Sequence, residues 1–126
     1  MSTRCQIAFY EDGAKDLNGF EALIYRHMDG YPDGVLPDLL PILKDFDKNR
    51  GLDDIEYASA WVVAKLKEDY LNIGICKNFH GDIEYLYAVT PTKLDIFEVG
   101  FDFGTDAQDI NKRVKKIKTI DLKKEA

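Results

Sequence analysis

The sequence lacks the patterns that mark secreted, membrane-spanning and nucleotide-binding proteins. Its two cysteines, Cys5 and Cys76, have no CxxC spacing, which is typical of reduced thiols and not of a disulfide scaffold. No apolar run approaches the roughly 18 residues of a membrane span, and the first residues lack the plan of a signal peptide. Neither a Gly-x-Gly-x-x-Gly nor a Walker-type loop occurs. We therefore expect a cytoplasmic protein that does not enter a membrane and has no phosphate-binding loop.

Residues that serve as catalytic nucleophiles are also scarce. Ser2 and Ser59 are the only serines, and no Gly-x-Ser-x-Gly elbow surrounds either of them. Because no nucleophile stands in a recognisable setting, the sequence assigns no catalytic residue. We expect no bound cofactor, and a non-enzymatic protein is favoured.

The charge is acidic overall and unevenly spread. With 23 acidic against 17 basic residues, the formal net charge is -6, which repels phosphate backbones and makes nucleic acid a poor partner. Residues 82–110 carry almost only acidic charge, whereas residues 111–126 carry an excess of lysine and arginine. Such charge runs are typical of solvated surfaces.

The hydrophobic patterning predicts one folded domain over residues 1–126. Residues 3–10 and 20–27 alternate as strands, residues 36–49 and the segment after Asp53 have helical spacing, and residues 72–103 return to strand alternation. Residues 105–122 fit either a helix or an edge strand, and a helical turn followed by a short strand is favoured. The predicted fold is α+β in the order ββααβββ, with two helices on one face of an antiparallel sheet of about five strands.

Aromatic residues recur along the last predicted strands. If they share the uncovered face of the sheet, the resulting patch suits a protein partner or a second copy of the chain in a homodimer. A stacking platform for nucleic acid would need basic surroundings, and this segment is acidic. The row comprises Tyr85, Tyr87, Phe97, Phe101 and Phe103.

The least ordinary segment is the loop from His27 to Gly34. Its Asp-Gly and Pro-Asp-Gly steps are turn chemistry, in which Asp bonds locally and Gly permits a positive φ. Loops on rigid scaffolds also carry binding sites. The candidate binding residues are His27, Asp29, Tyr31 and Asp33.

Two features of the first 40 residues form a recognisable pattern. The chain opens with Ser2-Thr3-Arg4, and the loop with the end of the strand before it follows the pattern Tyr-x-His-x-Asp-Gly-Tyr-Pro-x-Gly, which is matched at Tyr25, His27, Asp29, Gly30, Tyr31, Pro32 and Gly34. In this the chain resembles a group of uncharacterised small bacterial and phage proteins. The resemblance covers about the first 40 residues. It implies kinship and no particular activity.

Two His-x-Asp triplets suggest an alternative function. His27-x-Asp29 and His80-x-Asp82 each follow a predicted strand, and imidazole with carboxylate suits zinc, manganese or iron(II). A metal bound there would activate water in a small metal-dependent hydrolase, with Tyr31 or Arg26 orienting the substrate. The favoured hypothesis remains a non-enzymatic interaction module that uses an open sheet face and the 27–34 loop.

Overall fold

The computed structural model describes residues 3–67, 72–101 and 109–123. The α+β class is confirmed, with two helices and six strands in these ranges. No helix within these ranges is long and apolar enough to cross a membrane. The elements in chain order are β1 (Cys5–Phe9), β2 (Ala22–Arg26), α1 (Pro32–Asn49), α2 (Ile55–Leu66), β3 (Ile73–Ile75), β4 (Tyr85–Val89), β5 (Lys93–Val99), a 3-10 turn (Ile110–Lys112) and β6 (Val114–Asp121).

The sheet is mixed and has six strands in the described residues, so the prediction of an antiparallel sheet of about five strands was wrong. The predicted order ββααβββ differs from the observed one in that a 3-10 turn and a further strand, β6, follow it. The strand order within the sheet is β3-β2-β1-β4-β5-β6, and β4 runs parallel to β1. The two helices lie between β2 and β3 in the chain, and β4 pairs with β1 instead of β3. Alternation along a strand fixes which residues share a face but not which strand lies beside it.

Helix α1 starts earlier than the predicted residue 36, with Pro32 in its first turn. Pro37 and Pro41 consequently lie inside the helix and not in its opening turns. Both prolines are exposed, so the carbonyl groups that lose their N–H partners can be hydrated. The helix ends at Asn49, and Gly51 just beyond it has a φ of +105°, which favours glycine.

The helices pack on one face of the sheet and bury an apolar core. Its members from the central strands include Ile7, Phe9 and Tyr87, each fully buried. The helices contribute the other side of this core, with Leu39 and Leu43 from α1 and Ala58 and Val62 from α2. This arrangement confirms that both helices lie against the sheet, as their apolar spacing predicts.

The opposite face is not open, and this expectation is corrected. Within the described residues, a second core of Ala8, Leu23, Leu86 and neighbouring side chains is buried there. The connecting segments cover it: the Tyr10 hydroxyl donates to the Leu17 carbonyl at 2.7 Å, and Phe20 packs edge to face on Phe79 at 5.3 Å. The connecting segments thus form a layer of their own on this face of the sheet.

The aromatic row is divided between the two cores. Tyr87 pairs with Ile96 and belongs to the helix-side core, whereas Phe97 pairs with Leu86 and belongs to the other. Tyr85 is partly buried on the helix side, Phe101 is 60% exposed and Phe103 lies outside the described residues. Among its four described members, the row therefore offers no continuous aromatic surface.

Candidate functional site

The 27–34 loop is held to the sheet by its backbone. The Gly30 N–H donates to the Thr3 carbonyl at 2.9 Å, and the buried Tyr87 hydroxyl donates to the Gly30 carbonyl at 2.7 Å. The Asn72 side-chain oxygen accepts from the N–H groups of His27 and Met28 at 3.0 and 2.7 Å. These bonds come from three separate segments, so the loop conformation is determined by tertiary contacts and not by turn chemistry alone.

Two residues of the loop have backbones with little steric freedom. Asp29 adopts a φ of 58°, in the left-handed region. A Cβ on Gly30 would lie 2.7 Å from the Thr3 carbonyl oxygen and 2.9 Å from both the backbone nitrogen and the Cβ of Cys5. The Asp29-Gly30 step is therefore required both by the turn and by close packing on β1.

The buried side chain of Arg26 hydrogen bonds to residues near both ends of the loop. Its side chain is only 7% exposed and forms an ion pair with Asp38 of α1 at 3.0 Å. The same guanidinium donates to the Met28 carbonyl at 3.0 Å and to the Gly34 carbonyl at 3.4 Å. A buried arginine that is both paired and hydrogen bonded is a strong positional constraint.

The loop displays side chains outward from this fixed backbone. Met28 is 41% exposed and Tyr31 is 42% exposed, and both Asp29 and Asp33 are exposed. The Tyr31 hydroxyl donates to the Asp29 carboxylate at 3.4 Å. Of the four predicted binding residues, Asp29, Tyr31 and Asp33 thus stand on the outer surface of the loop, and His27 is partly buried.

His27 belongs to a second cluster around Arg4, on the face of the sheet opposite the helices. Arg4 donates to Nδ1 of His27 at 3.4 Å and pairs with the Asp82 carboxylate at 2.9 Å. Tyr25 lies between the histidines: its hydroxyl is 2.9 Å from Nδ1 of His27, and its ring stacks on His80 at 4.7 Å. Because an arginine Nε can only donate, Nδ1 of His27 accepts in this arrangement.

Three of the four proposed metal ligands, His27, His80 and Asp82, therefore lie together at one end of the sheet. They surround the positively charged side chain of Arg4, where a metal ion was proposed. The Arg4 guanidinium lies between His27 and Asp82, and Asp29 lines a cleft with Arg26 instead. In the described ranges, the group of three ligand residues whose donor atoms lie within 4.8 Å of one another is Glu11, Glu21 and Glu56. His27, Asp29, His80 and Asp82 do not form such a group.

The ionisation of nearby groups reflects burial more than catalysis. Burial raises the pKa of Tyr25, and the Asp82 carboxylate adds to this effect. Burial also raises the pKa of the Cys5 thiol to about 12, and that of Cys76 in the same direction. Both thiols are therefore held in their protonated, weakly nucleophilic form.

A cleft of about 470 Å³ lies beside the loop on the helix side. Asp29 belongs to both the loop and the cleft, and α1 and α2 contribute its walls. The lining mixes opposite charges with apolar surface and comprises Arg26, Asp29, Pro37, Asp38, Ile42, Lys65, Leu66, Asn72 and Ile73. The exposed loop is thus continuous with a concave surface, as recognition sites often are.

Sequence reasoning missed the residues that hold the loop. Asn72 bonds to Met28, which is 44 residues away in the chain, and Tyr87 bonds to Gly30, which is 57 residues away. No local sequence pattern predicts contacts between such distant residues. Arg4 was noted only as part of the Ser-Thr-Arg stretch. A buried strand position occupied by a charged residue, as at Arg26, is the one signal that points to an internal ion pair.

Comparisons of the chain with protein-family models, with curated proteins and with solved structures found no match. The resemblance to small bacterial and phage proteins stays a prediction.

Proposed function

We propose that this chain is a non-enzymatic binding module that contacts a protein partner through the outer surface of the 27–34 loop. The observation that carries the proposal is the combination of a fixed loop backbone with exposed Met28 and Tyr31. Large exposed hydrophobic side chains on an irregular mobile loop would cost entropy on binding. On a loop that is already ordered, that cost is reduced.

The chemistry of the loop suits a protein surface. Tyrosine and methionine are enriched where proteins meet, because each buries a large area with few rotatable bonds or with an adaptable thioether. Asp29 and Asp33 flank Tyr31 and add negative charge at the rim. A partner with an apolar pocket bordered by basic residues would complement this surface.

A site-specific photocrosslinking experiment tests the proposal. A photoreactive phenylalanine analogue is introduced at Tyr31 and, as a control, at Phe101, which is 60% exposed and follows β5. We expect a discrete crosslinked species from position 31 in the cells of the source organism and none from position 101.

The mass of the adduct separates the partner classes. A product at twice the chain mass identifies a second copy, and any other mass identifies a different protein. Equal yields at positions 31 and 101, or no adduct at position 31, would contradict the proposal.

A further inference from the structure

The two edges of the sheet are built differently. β6 is an eight-residue strand with exposed Lys115, Lys116 and Lys118. A register shift opposite Ile96 and Phe97 leaves Ile117 unpaired. Lysines and bulges are the usual means by which an edge strand avoids pairing with another chain. At the other edge, β3 has the uncharged sequence Ile-Gly-Ile, and Ile75 is 78% exposed.

The backbone of β3 has groups that face outward. The Cys76 N–H donates to the Leu23 carbonyl and the His27 N–H donates to the Asn72 carbonyl. With the register between β2 and β3, these bonds make Tyr25 and Gly74 the hydrogen-bonded pair. The N–H and C=O groups of Ile73 and Ile75 consequently point away from β2.

One of those outward groups is already used. The Lys67 ammonium donates to the Ile73 carbonyl. No hydrogen bond from the described part of the chain reaches the outward N–H or C=O of Ile75. An extended segment lying beside β3 would satisfy both groups, as strand addition does in other sheets.

An apolar groove of about 450 Å³ adjoins this edge. Ser59, Ala60 and Val63 of α2 form one side, and Ala22 and Ile24 of β2 lie opposite, with Ile75 at the end of β3. Because β3 is only three residues long, part of β2 beyond it is left beside the groove. Alternate side chains of an added strand would enter this space.

The rim of the groove carries both charges: the exposed Lys77 lines it just beyond β3, and an acidic cluster lies around Glu21. Glu21 lines the groove, and its carboxylate lies within 4.8 Å of those of Glu11 and Glu56. All three are exposed. Like charges at this distance repel one another, so a lysine or arginine placed among them is favoured over a neutral or acidic side chain.

We propose that the outer edge of β3 and this groove bind an extended peptide segment of a partner protein, with apolar side chains in the groove and a lysine or arginine against Glu11, Glu21 and Glu56. The net charge of -6 attracts such a basic segment at long range. The surface is separate from the outer side of the 27–34 loop, so either proposal can fail without the other.

The test measures fluorescence anisotropy with the full chain and labelled seven-residue peptides of alternating valine and threonine. One peptide carries two lysines at an end and another carries two glutamates there. We expect the lysine peptide to bind about tenfold more tightly. Glu21→Gln combined with Glu56→Gln should reduce that preference to about threefold or less.

Strand addition makes a sharper prediction for the peptide backbone. N-methylation of alternate amides blocks pairing only when the methylated groups face the edge. We expect one methylated series to lose binding and the series methylated at the intervening amides to keep it. Ile75→Lys should abolish binding, whereas Ile117→Lys on the opposite edge should leave it unchanged, with folding of both checked by circular dichroism.

Three results of the peptide experiments would overturn the inference. They are no binding of the lysine peptide at about 1 mM, equal effects of the two methylated series, and equal affinity of the Ile75→Lys and Ile117→Lys variants. Light scattering tests whether a second copy of the chain, and not a partner peptide, occupies the edge of β3. Concentration-dependent association of the unmodified chain that Ile75→Lys removes would assign the edge to a second copy and would also overturn the inference.

Discussion

Replacement of Gly30 by alanine should destabilise the fold through a contact that the structure specifies. The new Cβ would lie 2.7 Å from the Thr3 carbonyl oxygen and 2.9 Å from the backbone nitrogen of Cys5. An ordinary van der Waals contact would place the Thr3 oxygen about 0.7 Å farther away, so the loop or β1 has to move. Extra volume in a packed interior costs about 1–3 kcal/mol.

Movement of the loop would also weaken two hydrogen bonds. These are Gly30 N–H to Thr3 and Tyr87 hydroxyl to Gly30, each contributing about 1 kcal/mol. A loop that keeps its position is overpacked, and a loop that moves loses hydrogen bonds. The overpacking cost and the hydrogen-bond cost therefore do not add in full. We expect the free energy of unfolding to fall by about 2–4 kcal/mol.

Gly74→Ala is the matched control for this measurement. Nothing lies within 4 Å of the Cβ that it would add, and its φ is not in the left-handed region. Removal of a glycine from a strand should leave the stability unchanged or raise it by about 0.5 kcal/mol. Urea unfolding of the three proteins measures both values. A Gly30→Ala protein within about 0.5 kcal/mol of the unmodified chain would refute the reasoning.

Further predictions concern other contacts. Tyr87→Phe should cost about 1–3 kcal/mol in urea unfolding because the buried Gly30 carbonyl loses its donor, whereas Tyr57→Phe should cost under about 0.5 kcal/mol. Hydrogen bonds from Lys123 and the Leu52 N–H lower the pKa of Asp47 in the folded state, so its contribution should be present above the usual carboxyl pKa and lost as pH falls through the lowered value. Asp47→Asn should accordingly destabilise the protein by about 0.5 kcal/mol at pH 7 and not at pH 2; equal effects at both pH values would contradict this. Because the Cys5 thiol has a pKa of about 12, only about one molecule in ten thousand is a thiolate at pH 8. Ellman's reagent should modify Cys5 only after denaturation, and rapid reaction of both thiols in the native protein would contradict its burial.

The local elements were largely readable from the sequence. The apolar residues from Cys5 to Phe9 and from Lys93 to Val99 mark real strands, and their alternate side chains pack on the two cores. The spacing of Leu39, Leu43 and Phe46 marks the buried stripe of α1. These signals depend only on the periodicity within each segment, so the strands and helices can be predicted without knowing which elements lie beside them.

The arrangement of the elements was not readable in the same way. The pairing of β4 with β1 joins segments 80 residues apart, as in Cys5 with Tyr85. The burial of the second face depends on connections that fold back through contacts such as Tyr10 to Leu17 and Phe20 to Phe79. Turn residues indicate that a chain reverses but not what the loop then covers.

The candidate site was located only in part. The 27–34 loop was singled out from its composition, and its exposed Tyr31, Asp29 and Asp33 lie where a partner can reach them. The interpretation of the His-x-Asp triplets missed Arg4, which lies between His27 and Asp82. An arginine in a strand-like N-terminal stretch has no local feature that reveals its distant partners.

Residue-resolved amide hydrogen exchange tests most directly whether the backbone of the 27–34 loop is fixed in the free protein. The account predicts that the Gly30 amide, bonded to Thr3, and the Met28 amide, bonded to Asn72, exchange with opening free energies close to that of global unfolding. The Gly13 amide, in an exposed turn, provides the reference for a freely exchanging loop. Exchange of Gly30 and Met28 as fast as that of Gly13 would contradict the central claim.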